Sequence, residues 1–140
     1  MILDNTLVLS DKQAITATAA STNVIDRGAA GTVFGAAAAL SVDIGKENEI
    51  PLQVSVTEAF NNLTSLKIAL ETSADNSTFT EVASRTYLLA SINATGQLNF
   101  PACILEGTNQ RYIRLNYTVT GTAPTTGKIF AGVVAARQTH

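Results

Sequence analysis

Tyr112-Ile113-Arg114-Leu115-Asn116-Tyr117-Thr118-Val119 alternates without a break. Ile113, Leu115, Tyr117 and Val119 fall on one side of an extended chain, and Tyr112, Arg114, Asn116 and Thr118 on the other. A period of two predicts a strand with one face in a core and the other in water. The same period recurs upstream. Leu66, Ile68 and Leu70 alternate with Lys67, Ala69 and Glu71, and Leu52, Val54 and Val56 with Gln53, Ser55 and Thr57. Threonine and valine suit such half-buried pleated surfaces.

Turn chemistry separates the runs. Asp75-Asn76-Ser77, Asn93-Ala94-Thr95-Gly96, Glu106-Gly107-Thr108-Asn109 and Gly121–Gly127 with Pro124 all interrupt the alternation. The pattern predicts strands over 6–10, 13–18, 22–26, 40–44, 51–58, 65–73, 79–83, 85–91, 97–100, 111–120 and 128–136. No long helical stripe competes with them. Short single-faced strands of this kind predict an all-β chain, an antiparallel two-sheet β-sandwich. Periodicity leaves Greek-key and jelly-roll connections open. The length of 140 residues fits a single domain spanning 1–140, with no internal repeat.

Two segments break the scheme. Gly28–Leu40 is glycine-punctuated and alanine-rich, a long apolar loop where a surface connection is normally polar. Phe130–Ala136 is apolar on both faces. Phe130, Gly132, Val134 and Ala136 lie on one, and Ala131, Val133 and Ala135 on the other. Such a strand is covered by another element or lies against a partner.

Composition excludes several functions. Charged residues are 14% of the chain and the net charge is −2. There is no basic excess for neutralising phosphates, so no nucleic-acid partner is expected. The apolar run Ala36–Leu40 is far short of the ~20 residues that cross a bilayer, so no membrane partner is expected either. The N-terminus lacks a basic, apolar leader, which predicts a soluble protein made in the cytoplasm.

Reactive chemistry lacks material. The one histidine is His140, and the one cysteine, Cys103, sits between Ala102 and Ile104 as a core residue would. Nucleophilic catalysis needs a base beside the nucleophile, and none is in view. Glu58, Glu71 and Glu81 are carboxylates of the type that hydrolyse glycosides, but Glu71 lies on a wet strand face and Glu81 in a threonine-rich run. Asp43, Glu47 and Glu49 have oxygen ligands for calcium, but their spacing matches no EF-hand and Lys46 stands among them. The chain is therefore expected to be no enzyme, with no catalytic residue, cofactor or metal.

The order Leu7–Thr16, Leu70–Val82, Arg111–Gly121 and Gly127–Val134 resembles the small capsid cement (decoration) proteins of tailed bacteriophages, over nearly the whole chain. The resemblance is one of pattern and length. It implies a jelly-roll domain on the outer surface of an icosahedral head, a homodimer clamping neighbouring subunits of the major capsid protein. It supplies no short motif from which contact residues transfer.

Contacts are therefore expected on physical grounds. With 19 threonines and 21 alanines, much of the surface is built of short side chains that lose little entropy when a partner covers them. The expected contacts are Leu3, Leu7 and Leu9 on an N-terminal arm of about 1–10, Val33 and Phe34 in the loop 28–40, and Val134. The arm leucines serve equally well as a first core strand, and the loop as a lid over one end of the sandwich. Two other functions fit the same fold. A carbohydrate-binding sandwich would use exposed aromatics, for which Tyr87 and Tyr112 qualify. A self-assembling jelly-roll coat protein would need a basic arm, and the first 26 residues hold Lys12 against Asp4, Asp11 and Asp26.

Overall fold

The alternating stretch around Leu115 is a strand, β9 (Tyr112–Gly121), flanked on both sides within its sheet. Ile113, Leu115 and Tyr117 are buried, while Arg114, Asn116 and Thr118 face outward and are half-buried. The computed structural model describes residues 3–40, 50–101, 103–104 and 108–136. In chain order the other strands are β1 (Leu3–Ala14), β2 (Ala19–Ala20), β3 (Ile25–Asp26), β4 (Ile50–Glu58), β5 (Leu63–Ser73), β6 (Thr80–Leu88), β7 (Gly96–Gln97), β8 (Cys103–Ile104) and β10 (Lys128–Val134). One helical turn, α1 (Leu89–Ile92), follows β6.

Two antiparallel sheets pack face to face. The first runs β1-β10-β4-β7, with β8 also on β4, and the second β2-β9-β5-β6, with β3 also on β9. The pairs are nested: β1 with β10, β2 and β3 with β9, β4 with β7 and β8, and β5 with β6. A long hairpin folded over on itself gives this order, so the sandwich is wound as a jelly roll. The connectivity that periodicity left open is thereby settled.

The core lies between the sheets. Leu52, Val54, Val56, Ile129 and Ala131 project from the first, and Leu66, Ile68, Leu70, Ile113, Leu115 and Tyr117 from the second. Each fully buried large aliphatic side chain contributes roughly 1.5–3 kcal/mol by leaving water. The ion pairs Lys67–Glu81, Arg111–Asp26 and Lys128–Glu58 are well exposed and add little. Packing therefore dominates the stability.

The core face of Phe130–Val134 is covered within the chain, while Phe130 on the outer face stays half-buried. Ile129, Ala131 and Val133 pair with Val56, Val54 and Leu52 on the core side. On the outer side Phe130 lies near Gly132, where an added Cβ would sit tightly, 3.2 Å from the Leu7 carbonyl. Beside them Gln53 is buried at 3% exposure, its amide donating to Ser55 Oγ and its carbonyl accepting from Gln97.

Several strand boundaries differ from the sequence expectation. Residues 6–10 and the start of 13–18 form one strand, β1, with register shifts against β10 and a left-handed Lys12 at φ 48°. Residues 79–83 and 85–91 are likewise one strand, β6, ending in α1. Only Ile25 and Asp26 of 22–26 are paired. Most of the expected strand 40–44 lies outside the described residues, as do Asp43, Glu47, Glu49, Glu106, Gly107 and His140.

The winding sorts the connections by end. One end holds the starts of β4 and β9, the ends of β3, β5 and β10, and the first residues of β1, because Leu3 pairs with Val134, Asp26 with Tyr112, and Ser73 with Tyr112. The opposite end holds the β4–β5 and β9–β10 turns. The apolar loop leaves β3 and so springs from the first end.

Candidate partner-binding surface

The loop begins at a rigid root. Asp26 ends β3 beside Tyr112, and Arg111 grips its carboxylate with two bonds, Nε to Oδ1 at 2.6 Å and Nη2 to Oδ2 at 2.8 Å. Gly28 N–H also donates to Asp26 Oδ1. The Arg111 guanidinium, then the Gly28 amide, hold the Asp26 carboxyl well below its usual range, at about 2. Arg27 donates through Nε and Nη2 to the Gln110 carbonyl, so both residues of the root are fastened to the segment before β9.

Beyond the root the loop closes on itself. Leu40 N–H donates to the Gly31 carbonyl at 2.9 Å, and Ala36 N–H to the Val33 carbonyl at 2.9 Å. The second bond defines a four-residue turn, Val33-Phe34-Gly35-Ala36. Gly35 has φ +81°, the value that position requires in a type II turn. Phe34 therefore stands at the turn's leading corner. It is fully exposed at 105%, with Val33 at 53% and Leu40 at 54%. Every residue from Gly28 to Leu40 is exposed, so the loop is not a lid over the core. An aromatic ring held out on a closed turn is a preformed apolar contact, cheap to order when a partner covers it.

The expected contact residues separate on this structure. Val33 and Phe34 sit together at the tip. Leu9 is fully buried in β1 and Leu7 is partly buried against the core, which corrects the picture of a reaching arm in favour of a core strand. The cause is hydrogen bonding, since β1 pairs with β10 from Leu3 onward. Leu3 lies at the start of that strand, and its side chain is outside the described residues. Val134 is 2% exposed, covered within the chain, and so offers no surface.

The carboxylates singled out earlier serve as ion-pair partners. Glu58 pairs with Lys128 at 2.5 Å, Glu71 with Arg114 at 2.8 Å and Glu81 with Lys67 at 2.7 Å. The ammonium groups hold Glu58 and Glu81 below their ordinary values, the opposite of what a general acid requires. Arg114 also stacks on Phe79, 3.5 Å from the ring centre. Tyr87 is buried at 7% exposure and Tyr112 lies under Arg111 at 4.9 Å, so neither ring presents an open sugar platform.

Sequence reading missed two features of this end. The Asp26–Arg111 clamp joins residues far apart in the chain, and nothing local marks it. A cleft of about 400 Å³ lies close by, lined by Thr72, Ser73, Ala74, Asp75, Thr78, Thr80, Asn109 and Gln110. Its Asp75-Asn76-Ser77 turn and the turn ending at Asn109 were each legible, but not that they meet across one cleft.

A model of one protein family, described as Bbp16, matches residues 9–133 and so covers the sandwich from β1 into β10. No curated protein matches the chain.

Proposed function

This chain belongs to the Bbp16 family, and within that family we propose a structural, non-enzymatic role: it binds the outer surface of an assembled bacteriophage capsid and clamps neighbouring major capsid protein subunits. The observation that carries this reading is the exposed Phe34 on its closed turn, with Val33 beside it. Phe34 is held away from the core and contributes nothing to its packing. In protein interfaces a few apolar anchors supply most of the binding energy.

The rigid body behind the loop supports the same reading. A standard contact buries about 800 Å² on each partner. A homodimer would place two such loops on one body, and the second contact would form at high effective concentration. Binding only to the assembled shell would stabilise that shell by mass action. The virion exterior is thus the proposed location, and neither nucleic acid nor a membrane is a proposed partner.

The test mixes purified protein with heads assembled without it. Co-sedimentation and a raised rupture temperature are the expected results. Absence of binding, or binding with no gain in rupture temperature, overturns the proposal. Closure of the purified protein into shells by itself would favour the coat-protein reading instead.

A further inference from the structure

The cleft beside the loop root has a specific polarity. Its floor is Thr72 and Ser73, at 5% and 2% exposure, at the end of β5. One wall is the β5–β6 turn, with Asp75 and Thr78, continued by Thr80 at the start of β6. The other is Asn109 and Gln110, and the Gln110 carbonyl is held by Arg27. Among the described residues, hydroxyl and amide groups dominate the lining, and Asp75 carries the one ionisable side chain.

Asp75 is fixed in one orientation. Its Oδ1 accepts from Ser77 N–H at 2.9 Å, Thr78 N–H at 2.9 Å and the Ser73 hydroxyl at 2.8 Å. Those donors, the Thr78 and Ser77 amides first, hold the carboxyl at about 2, so it is anionic at every working pH. The hydrogen bonds from other described residues all fall on Oδ1 and leave Oδ2 without one. Among the nearby described cations, Arg111 pairs with Asp26, Arg114 pairs with Glu71, and Arg27 is bound to the Gln110 carbonyl. One preorganised anionic oxygen is left in a cleft of neutral acceptors.

We propose that this cleft receives a single basic side chain, an arginine or lysine, of the protein partner on which the Phe34 loop rests. The inference builds on the reading of the loop as a docking element. Cleft and loop share an end of the sandwich and a common root at 110–111, so one partner surface meets both. A guanidinium suits the site best, because its fork of N–H donors matches a carboxylate oxygen ringed by hydroxyl and amide oxygens. The volume, near the lower limit of the roughly 300–1,000 Å³ typical of ligand clefts, suits one long side chain.

Asp75→Asn is the discriminating variant. Asparagine keeps Oδ1, and with it the three bonds that shape the turn, but replaces the anionic Oδ2 with an N–H donor. Ethylguanidinium chloride is titrated at constant ionic strength into isotope-labelled protein and followed by amide shifts. Saturable shifts confined to 72–80 and 108–111, weakened at least tenfold in Asp75→Asn, are expected. The absence of such shifts, equal shifts in the variant, or tighter binding of calcium chloride or methyl glucoside would overturn the proposal. Capsid heads separate it from the reading beneath it. If Asp75→Asn decorates heads like the parent while Phe34→Asp does not, the cleft inference fails and the docking loop stands. If the parent itself does not bind heads, the assignment of a partner to the cleft falls as well.

Discussion

The Tyr117 hydroxyl lies 2.8 Å from Ser10 Oγ, joining β9 of one sheet to β1 of the other inside the core. Both residues are fully buried. Ser10 gives its own hydrogen to Gln13 Oε1 at 2.7 Å, so Tyr117 is the donor in the shared bond. Gln13 continues the chain, donating to the Ala20 carbonyl and accepting from Thr22 N–H. A polar thread thus fixes how the sheets face each other, which apolar packing alone does loosely.

This polarity predicts unequal costs. Tyr117→Phe removes a donor but leaves Ser10 bonded to Gln13, for a loss of about 1 kcal/mol. Ser10→Ala leaves the tyrosine hydroxyl buried without its acceptor, at about 1–3 kcal/mol. Urea unfolding of the two variants is expected to rank Ser10→Ala as the more damaging.

Burial also raises the Tyr117 pKa above its ordinary value of 10.0. The folded state then resists ionisation that the unfolded chain undergoes. Stability is fully present below about pH 10 and falls as the pH rises beyond it. Urea midpoints between pH 9 and 11 are expected to drop, and to drop less in Tyr117→Phe.

At the acid end, Asp26 and Asp75 are both held at about 2, below the usual aspartate value. Their contribution is present above about pH 4 and is lost as the pH falls towards 2. The double variant Asp26→Asn, Asp75→Asn is expected to show a shallower decline in urea midpoint between pH 4 and 2.5.

Two glycines with positive φ are expected to behave differently. A Cβ on Gly127, at φ +128°, would lie 2.2 Å from the buried Phe60 ring, whereas one on Gly35 would meet nothing within 4 Å. Gly127→Ala combines backbone strain with overpacking and is expected to cost roughly 3 kcal/mol or more. Gly35→Ala should cost about 1 kcal/mol in loop geometry, with the global unfolding midpoint almost unchanged.

Phe34→Asp separates folding from docking. The side chain touches no core, so the thermal midpoint is expected to hold within the ~0.5 kcal/mol typical of surface changes. Head binding is expected to weaken by ~2 kcal/mol, roughly 30-fold in Kd. A weakened fold, or unaltered binding, would remove Phe34 from the contact.

The strands that sequence reading located best are β4, β5 and β9, where one face is core and the other is wet, so side-chain chemistry reports the pleat directly. It failed where the backbone departs from that pleat. Lys12 at φ 48° and the shifts around Ser10 put Val8, Leu9 and Ser10 all inside, a run that no alternation predicts. The four-residue α1 is too short for a helical stripe and is tied down mainly by buried Ile92. Gly28–Leu40 stood out because apolar residues in a connection are unusual whatever the tertiary structure. The Asp75 cleft did not, because its walls are sequence-distant and meet through the pairing of β5 with β9, Ser73 opposite Tyr112.

The hairpin winding also decides what the far pole is free to do. Thr122 and Ala123 lie in the exposed β9–β10 turn, across the length of the sandwich from the Phe34 loop. In the proposed docking, with the loop seated on a shell, that turn would look out into the medium. If the chain docks as proposed, a foreign peptide spliced between Thr122 and Ala123 would be displayed on the particle's exterior, one copy per bound chain, with the Phe34 end undisturbed.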